Sequence, residues 1–286
     1  MRMQWLKRTQ VINNQVEKFV FSLSGTTFNI YFYLGYQSLD TLREWSEEAL
    51  HPIETLAYQQ LANSRRHFEY LLRNYCAKHV LLACLQKSVE KAHFFSIDEH
   101  GIRPSLLVRS RLYYKDIQVT LTHSENLGCA VALKRVYPLG IDLEKITKQK
   151  SQAIISYITA YEQNLIRTEE TLQNIQAIML WTAKESLCKA IGGGLDVFSE
   201  ITEIQFLTTY SLYTEIQFRH FPEYRAYSAV LGEYVLSAVL PYSKRFSIDF
   251  NYIVSVLQSK QDQSKKVLDL KDHPQKYTKL EDFFVV

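Results

Sequence analysis

Residues 139–146 have the sequence LGIDLEKI and predict a short strand, because apolar and charged side chains alternate along it. Two amphipathic helices are predicted next, at roughly residues 152–169 and 175–191. The second helix carries the stretch WTAKESLCKAIGGGL, residues 181–195. Its glycine run at 192–194 predicts the end of the helix, since glycine readily takes the left-handed C-cap conformation.

Four runs further along the chain are spaced like the strands of an antiparallel meander. Each is rich in Val, Ile, Tyr, Phe or Thr and is separated from the next by turn residues. The runs are EIQFLT (203–208), LYTEIQF (212–218), YRAYSAV (224–230) and YVLSAVL (234–240). Helices followed by a run of strands predict an α+β fold for this half of the chain.

The first half contains the same ingredients. Residues 16–35 predict two strands or a hairpin, residues 39–91 a helical zone, and residues 94–133 further strands. Each half therefore combines a small antiparallel sheet with a long helix. We predict two similar α+β subdomains in a pseudo-twofold arrangement, although the residues themselves show no repeat.

The expected domain boundaries follow from changes in pattern along the chain. We place the N-terminal subdomain at residues 1–136 and the C-terminal subdomain at residues 137–250. Residues 251–286 are dense in charge and poor in large apolar groups, which is typical of a loosely attached polar tail.

The composition is that of a globular protein in a reducing compartment. The net charge is only +3, so no nucleic-acid partner is expected. The four cysteines form no C-x-x-C pair, which indicates buried thiols in place of a metal knuckle. No window reaches the ~18 apolar residues of a membrane span. We expect a cytoplasmic protein with no membrane partner.

Two acidic residues on the first strand point to a metal ion. Asp142 and Glu144 stand two apart, so both carboxylates leave the same face of the strand. Close like charges raise each other's pKa unless a cation neutralises them, and Mg²⁺ prefers such oxygen ligands. For this pair alone, a solvated strand end with two acidic residues is the simpler interpretation.

The helix at 175–191 carries a second polar cluster. Trp181, Lys184, Glu185, Cys188 and Lys189 fall at helical spacing, so one stripe carries an aromatic ring, a carboxylate and two ammonium groups. An ordinary surface pair of Glu185 and Lys189 would explain this stripe equally well when it is taken alone. Together with the strand pair, Glu185 supplies a third carboxylate and Lys189 a cation for a phosphate oxygen.

A third element is Thr122-His123-Ser124, at the end of the predicted strand IQVTLTHS. A single histidine is more often structural than functional. Here two hydroxyls flank it at a strand end, where functional residues are frequent.

Together these segments resemble the paired signatures of the 4′-phosphopantetheinyl transferase family. The first signature corresponds to residues 140–144, and the second to residues 181–189, where every position of the family pattern is satisfied. The length is most similar to the monomeric two-domain type that activates non-ribosomal peptide and polyketide synthases. The resemblance covers roughly residues 50–245.

The resemblance implies a Mg²⁺-dependent transfer of the phosphopantetheine arm of coenzyme A to a serine of an apo acyl or peptidyl carrier protein, with release of adenosine 3′,5′-bisphosphate. Asp142, Glu144 and Glu185 would be the Mg²⁺ ligands. Glu185, Lys189 and His123 would be the catalytic set, with Glu185 as base and Lys189 at the pyrophosphate. The implied coenzyme A contacts are Arg66, Arg73, Lys78, Arg103, Thr122, His123 and Lys189.

Two other hypotheses use some of the same residues. A magnesium-dependent phosphohydrolase needs the three carboxylates, but not the basic groups of the first half. A non-catalytic relative that only binds carrier proteins has no physical need for three acidic groups around one site. The sequence does not indicate which carrier protein would be served.

Overall fold

The structure is a computed structural model that describes nine segments of the chain. They are residues 16–23, 26–86, 94–95, 105–108, 111–112, 117–134, 138–193, 201–242 and 249–272. The helices in them are α1 (Leu39–Ala49), α2 (Pro52–Gln59), α3 (Ser64–Leu85), α4 (Lys148–Ile155), α5 (Ala160–Leu165), α6 (Glu170–Ile191) and α7 (Phe250–Asp272). None of these helices is long and apolar enough to cross a membrane.

The strands form two main antiparallel sheets. They are β1 (Val16–Leu23), β2 (Thr26–Tyr36), β3 (Phe94–Phe95), β4 (Ser105–Val108), β5 (Arg111–Leu112), β6 (Ile117–Ser124), β7 (Leu127–Lys134), β8 (Gly140–Lys145), β9 (Ile204–Thr209), β10 (Thr214–Phe218), β11 (Tyr224–Leu231) and β12 (Tyr234–Pro241). The first sheet has the order β1-β2-β7-β6, and the second β8-β12-β11-β10-β9. A small third sheet joins β3, β4 and β5. The predicted α+β class, the first hairpin and the meander are confirmed.

Each main sheet packs against one long helix. α3 lies on the first sheet and α6 on the second, and each has 22 residues. α6 ends at Gly192, whose φ of 80° is the predicted left-handed cap. The helix predicted at 152–169 is two shorter helices instead. Thr159 starts α5 with a capping box closed by Glu162, and this new start interrupts the helical run.

The alternation of side chains along the strands produces three apolar cores. In β2, Tyr31 and Tyr33 face the core under α3, whereas Ile30, Phe32 and Leu34 face the core between the two sheets. A third core lies between α6 and the second sheet. Because each sheet is covered on both faces, its edges are where polar side chains can collect.

Helix α7 corrects the prediction of a loosely attached tail for residues 251–272. Val254 and Leu257 are buried in the core between the sheets. The Gln261 side-chain amide donates to Tyr36 Oη and to the Leu231 carbonyl, each at 3.1 Å. The few apolar residues lie on one face of the helix, and the high charge of the opposite face concealed them in the sequence.

Because α7 is tightly packed, we expect truncation of a side chain on its buried face to lower the free energy of unfolding substantially. Leu257 is 4% exposed, so Leu257→Ala should lower the free energy of unfolding by about 2–5 kcal/mol. Tyr252 on the same helix is 46% exposed, and Tyr252→Ala should change it by less than about 0.5 kcal/mol. Urea unfolding of the full chain measures both. Equal, negligible effects would mean that the segment is attached as loosely as its composition suggested.

Candidate active site

Side chains of β6 join the first sheet to the backbone of β8 in the second. We call Thr120, Thr122 and Ser124 the hydroxyl ladder, because these alternate residues point at the edge of β8 and accept hydrogen bonds from it. The donors are the backbone N–H groups of Ile141, Leu143 and Lys145, at 3.4, 3.2 and 3.1 Å. The two edge strands are therefore held together by side chains instead of a backbone ladder.

The ladder brings the first half of the chain to the two predicted metal ligands. Thr122 Oγ1 donates to Asp142 Oδ1 at 3.0 Å, and Ser124 Oγ donates to Glu144 Oε2 at 3.1 Å. Two lysines also bind these carboxylates. Lys189 Nζ lies 2.7 Å from Asp142 Oδ1, and Lys150 pairs with Glu144.

Close packing of α6 on β8 places Glu185 and Lys189 beside this strand. A Cβ atom at Gly140 would lie 1.8 Å from the Ser186 carbonyl oxygen, so only glycine allows this approach. Two small residues of α6 with hydroxyl side chains fix the rotation of the helix about its own axis. Thr182 Oγ1 lies 2.6 Å from Ser237 Oγ, and Ser186 Oγ donates to the Ser237 carbonyl at 3.0 Å. The faces of α6 that bear Glu185 and Thr182 are thus fixed relative to β8.

The carboxylates influence one another electrostatically. The pKa of Glu185 is raised to about 7, first by burial and then by the nearby charges of Asp142 and Glu144, while Lys189 acts in the opposite direction. The negative charges of Asp142 and Glu144 thus both act on Glu185, and a divalent cation would neutralise such charges.

The donor set fits a hard divalent cation. Asp142 Oδ2 is buried and has no hydrogen-bond partner among the described residues, whereas Oδ1 has two. Carboxylate oxygens are the ligands that Mg²⁺ prefers. In the described part of the chain no three acidic, histidine or cysteine side chains are already arranged around one point, and Lys189 and Lys150 bind two of the carboxylates. A bound cation would therefore require these lysines to move.

A cleft of about 1080 Å³ opens beside Glu144. His123 and Glu144 lie in its wall, with α3 on one side and α7 on another. Its lining includes Arg65, Phe68 and Glu69 from α3, Lys145 and Lys150 near Glu144, and Lys265, Leu268 and Asp269 from α7. This volume lies within reach of both halves of the chain and suits a large, flexible ligand.

Two predicted phosphate contacts lie close together near this cleft. Burial lowers the pKa of His123, and the positive charge of Arg73 lowers it further. Burial also lowers the pKa of Arg73, although Tyr70 and Glu69 oppose the shift. No carboxylate lies within 4 Å of the Arg73 guanidinium among the described residues. A partly buried cation without an ion pair is suited to binding an anion.

The structure contradicts the prediction that Lys78 contacts coenzyme A. Its side chain is fully buried, lies 2.6 Å from Glu54 Oε2, and donates to the Ala49 carbonyl at 2.6 Å. Lys78 lies five positions after Arg73, and at ~100° per residue this spacing turns the lysine away from the arginine's face. Lys78 therefore stabilises the contact of α3 with the two preceding helices.

Other predicted positions have different surroundings from those expected. Thr122 is buried, and its hydroxyl already binds Asp142 and the backbone of Leu143, so we revise its role from contact with coenzyme A to support of Asp142. Arg66 is exposed on α3, while its neighbour Arg65 lines the cleft. Arg103 lies outside the described residues.

The polar residues that were predicted to form one stripe on α6 lie on two different faces of the helix. Lys184 does not join Glu185 at the cleft, because it forms a buried ion pair with Glu162 at 2.8 Å. Sequence reasoning also missed Arg65, Lys150 and Lys265. These three belong to charged stretches with no signature, and only the fold brings them to one cleft.

Comparison with known proteins supports the same region. Residues 138–239 match the family model of the 4′-phosphopantetheinyl transferase superfamily. The match spans about a third of the chain and contains both signatures, so the resemblance is confirmed over this segment. It supports phosphopantetheine transfer in general as the activity of a transferase. A search of curated proteins found no match to the chain.

The carboxylate cluster predicts how Glu185 titrates. In the metal-free protein its pKa should be near 7, and Asp142→Asn should lower it, because a neighbouring negative charge is removed. Since the pKa is raised, ionisation of Glu185 should destabilise the folded state as pH rises from about 4.5 to 7. Carbon-13 NMR of labelled glutamate side chains measures the pKa directly.

Exposed Glu170 on the same helix provides the internal control. Its pKa is lowered by its hydrogen bond to Lys148, so it should titrate well below Glu185 and should not respond to Asp142→Asn. A Glu185 pKa that stays the same in Asp142→Asn would show that these carboxyl groups do not interact.

Proposed function

We propose that this protein transfers the 4′-phosphopantetheine arm of coenzyme A to a serine of an apo carrier protein, and that it requires Mg²⁺. One observation carries the proposal: the charges of Asp142 and Glu144 both act on Glu185 from the other signature, and Glu144 lines a cleft that the first half of the chain also lines. We further propose that the chain acts as a monomer in the cytoplasm, with subdomains at residues 1–136 and 137–250 on the two sides of the cleft.

Asp142, Glu144 and Glu185 would hold the Mg²⁺ ion. When bound, the ion would supply positive charge to the pyrophosphate of coenzyme A and favour departure of adenosine 3′,5′-bisphosphate. Asp142 Oδ2, which is buried and has no hydrogen-bond partner within the described segments, supports this assignment. Lys189 and Lys150, which bind the carboxylates in the free protein, would be released toward the phosphates.

The reaction needs a base, because a serine hydroxyl is a weak nucleophile at neutral pH. Glu185, acting directly or through a water molecule, would accept the serine proton as the serine oxygen attacks phosphorus. The bond between that phosphorus and the bridging oxygen then breaks, and the electron pair leaves with the bisphosphate. Lys189 would neutralise the charge that develops on the leaving oxygen.

Arg73 and His123 would bind the nucleotide phosphates. They lie on the first half of the chain, and His123 lines the same cleft as Glu144, so coenzyme A would contact both halves. Arg103, from the resemblance alone, would be a further phosphate contact. An acyl or peptidyl carrier protein would present its serine at the same opening.

Loss of one metal ligand should abolish transfer. Asp142→Ala removes a ligand but no core side chain, so labelling of an apo carrier protein with fluorescent coenzyme A should fall at least ~100-fold while the melting temperature stays high. Glu170→Ala, which removes an exposed carboxylate of α6, is the matched control and should retain full turnover. Hydrolysis of coenzyme A without a carrier would support the phosphohydrolase hypothesis instead.

Arg73 should determine how the nucleotide end is recognised. A lost charge-assisted contact costs about 1.5–3 kcal/mol, so Arg73→Ala should weaken coenzyme A binding by tenfold or more. The effect should appear mainly in KM, because the 3′-phosphate is remote from the reacting bond. The comparison uses coenzyme A and 3′-dephospho-coenzyme A, with Arg43→Ala, at an exposed arginine of α1, as the control. If Arg73→Ala still prefers coenzyme A as strongly as the wild type, another group binds the 3′-phosphate.

A further inference from the structure

Two members of the hydroxyl ladder make a contact that the third does not. Thr122 accepts from the Leu143 N–H at 3.2 Å and donates to Asp142 at 3.0 Å. Ser124 makes the corresponding pair of bonds to Lys145 and Glu144, both at 3.1 Å. Thr120 accepts from Ile141 at 3.4 Å, and no carboxylate lies within hydrogen-bond distance of it among the described residues.

The two hydrogen bonds made by each of these hydroxyls fix the direction of its proton. A hydroxyl that accepts from a backbone N–H still has one proton to donate, and here that proton is directed at a carboxylate. In Asp142 the bonds from Thr122 and Lys189 both reach Oδ1. Oδ2 is left buried without a partner in the described part of the chain, a state that costs free energy unless a ligand binds it.

Glu144 shows the same asymmetry. Ser124 and Lys150 both bind Oε2, and Glu144 is only partly buried at the edge of the cleft. The first half of the chain therefore holds one oxygen of each carboxylate from behind. Among the described residues, none donates a hydrogen bond to the other oxygen of either carboxylate, and Glu144 lines the cleft.

We propose that Thr122 and Ser124 are positioning residues for Asp142 and Glu144, which orient the second oxygen of each carboxylate toward a divalent cation. The proposal rests on the proposed function, and it makes the metal site depend on both halves of the chain. Groups that hydrogen-bond metal ligands contribute about 10–100-fold to metal affinity. Removal of the Thr122 hydroxyl should therefore weaken Mg²⁺ binding by about tenfold or more.

The test compares three variants of the full chain without coenzyme A. Thr122→Val has nearly the same shape as threonine and removes the hydroxyl, and Thr122→Ser keeps it. Thr120→Val is the matched control, since it leaves a backbone N–H of β8 unpaired in the same way but touches no carboxylate. Mg²⁺ alone is the probe, with its affinity measured by calorimetry and by the increase in melting temperature that it causes.

Thr122→Val should bind Mg²⁺ about tenfold more weakly or worse, while Thr122→Ser and Thr120→Val should stay within about threefold of the wild type. The melting temperatures of the two valine variants should fall by similar amounts, because each variant loses one hydrogen bond to β8. If Thr122→Val does not fold, Ser124→Ala should show the same selective loss of Mg²⁺ affinity.

Two results would overturn the inference. Thr122→Val and Thr120→Val could bind Mg²⁺ as tightly as the wild type, or both could lose affinity equally, and in either case the hydroxyls would be only structural. The outcome is separable from the proposed function. A wild type that binds Mg²⁺ but transfers nothing to a carrier would refute the function, whereas active transfer with unchanged affinity in Thr122→Val would refute only the positioning role.

Discussion

The hydrogen-bonding capacity of the free edge of β8 is the constraint on which the site depends. An edge strand presents unpaired N–H groups, and burial of such groups without partners is costly. Side chains of β6 satisfy three of these groups in this protein. The two sheets can therefore meet edge to edge without merging. Because the joining groups are hydroxyls, each can also donate a hydrogen bond. The contact between the sheets can therefore orient polar side chains as well as hold the sheets together.

Because side chains alternate along β8, this strand contributes to both the apolar core and the candidate site. Ile141 and Leu143 pack between the sheets, while Asp142 and Glu144 face the other side, toward α6 and the cleft. A shift of one residue in register would exchange these roles completely. Gly140 and the small side chains of α6 prevent such a shift, because the helix lies too close to the strand for any other registration. The signature residues are thus as much a packing requirement as a chemical one.

Much of this arrangement could be predicted from the sequence. The strand period placed Asp142 and Glu144 on one face, and the polar stripe on the predicted helix added Glu185; in the structure the charges of the first two act on Glu185. The failures have physical causes. Lys78 was assigned by its charge, but only the fold shows that its face of α3 is covered by Glu54. α7 was hidden by its charged outer face, and the contact of Thr122 with Asp142 joins residues 20 positions apart that no local pattern relates.

Helix α7 also affects when the folded structure can be completed during synthesis of the chain. The backbone N–H of Tyr36 binds Ser264, 228 positions later in the chain. At about 5–20 residues per second, the ribosome needs roughly 10–45 s between these two residues. The end of β2 therefore emerges long before its final partner exists. Since α7 also supplies Lys265 and Asp269 to the cleft, a nascent chain lacks one wall of its binding site until this last described helix has left the ribosome.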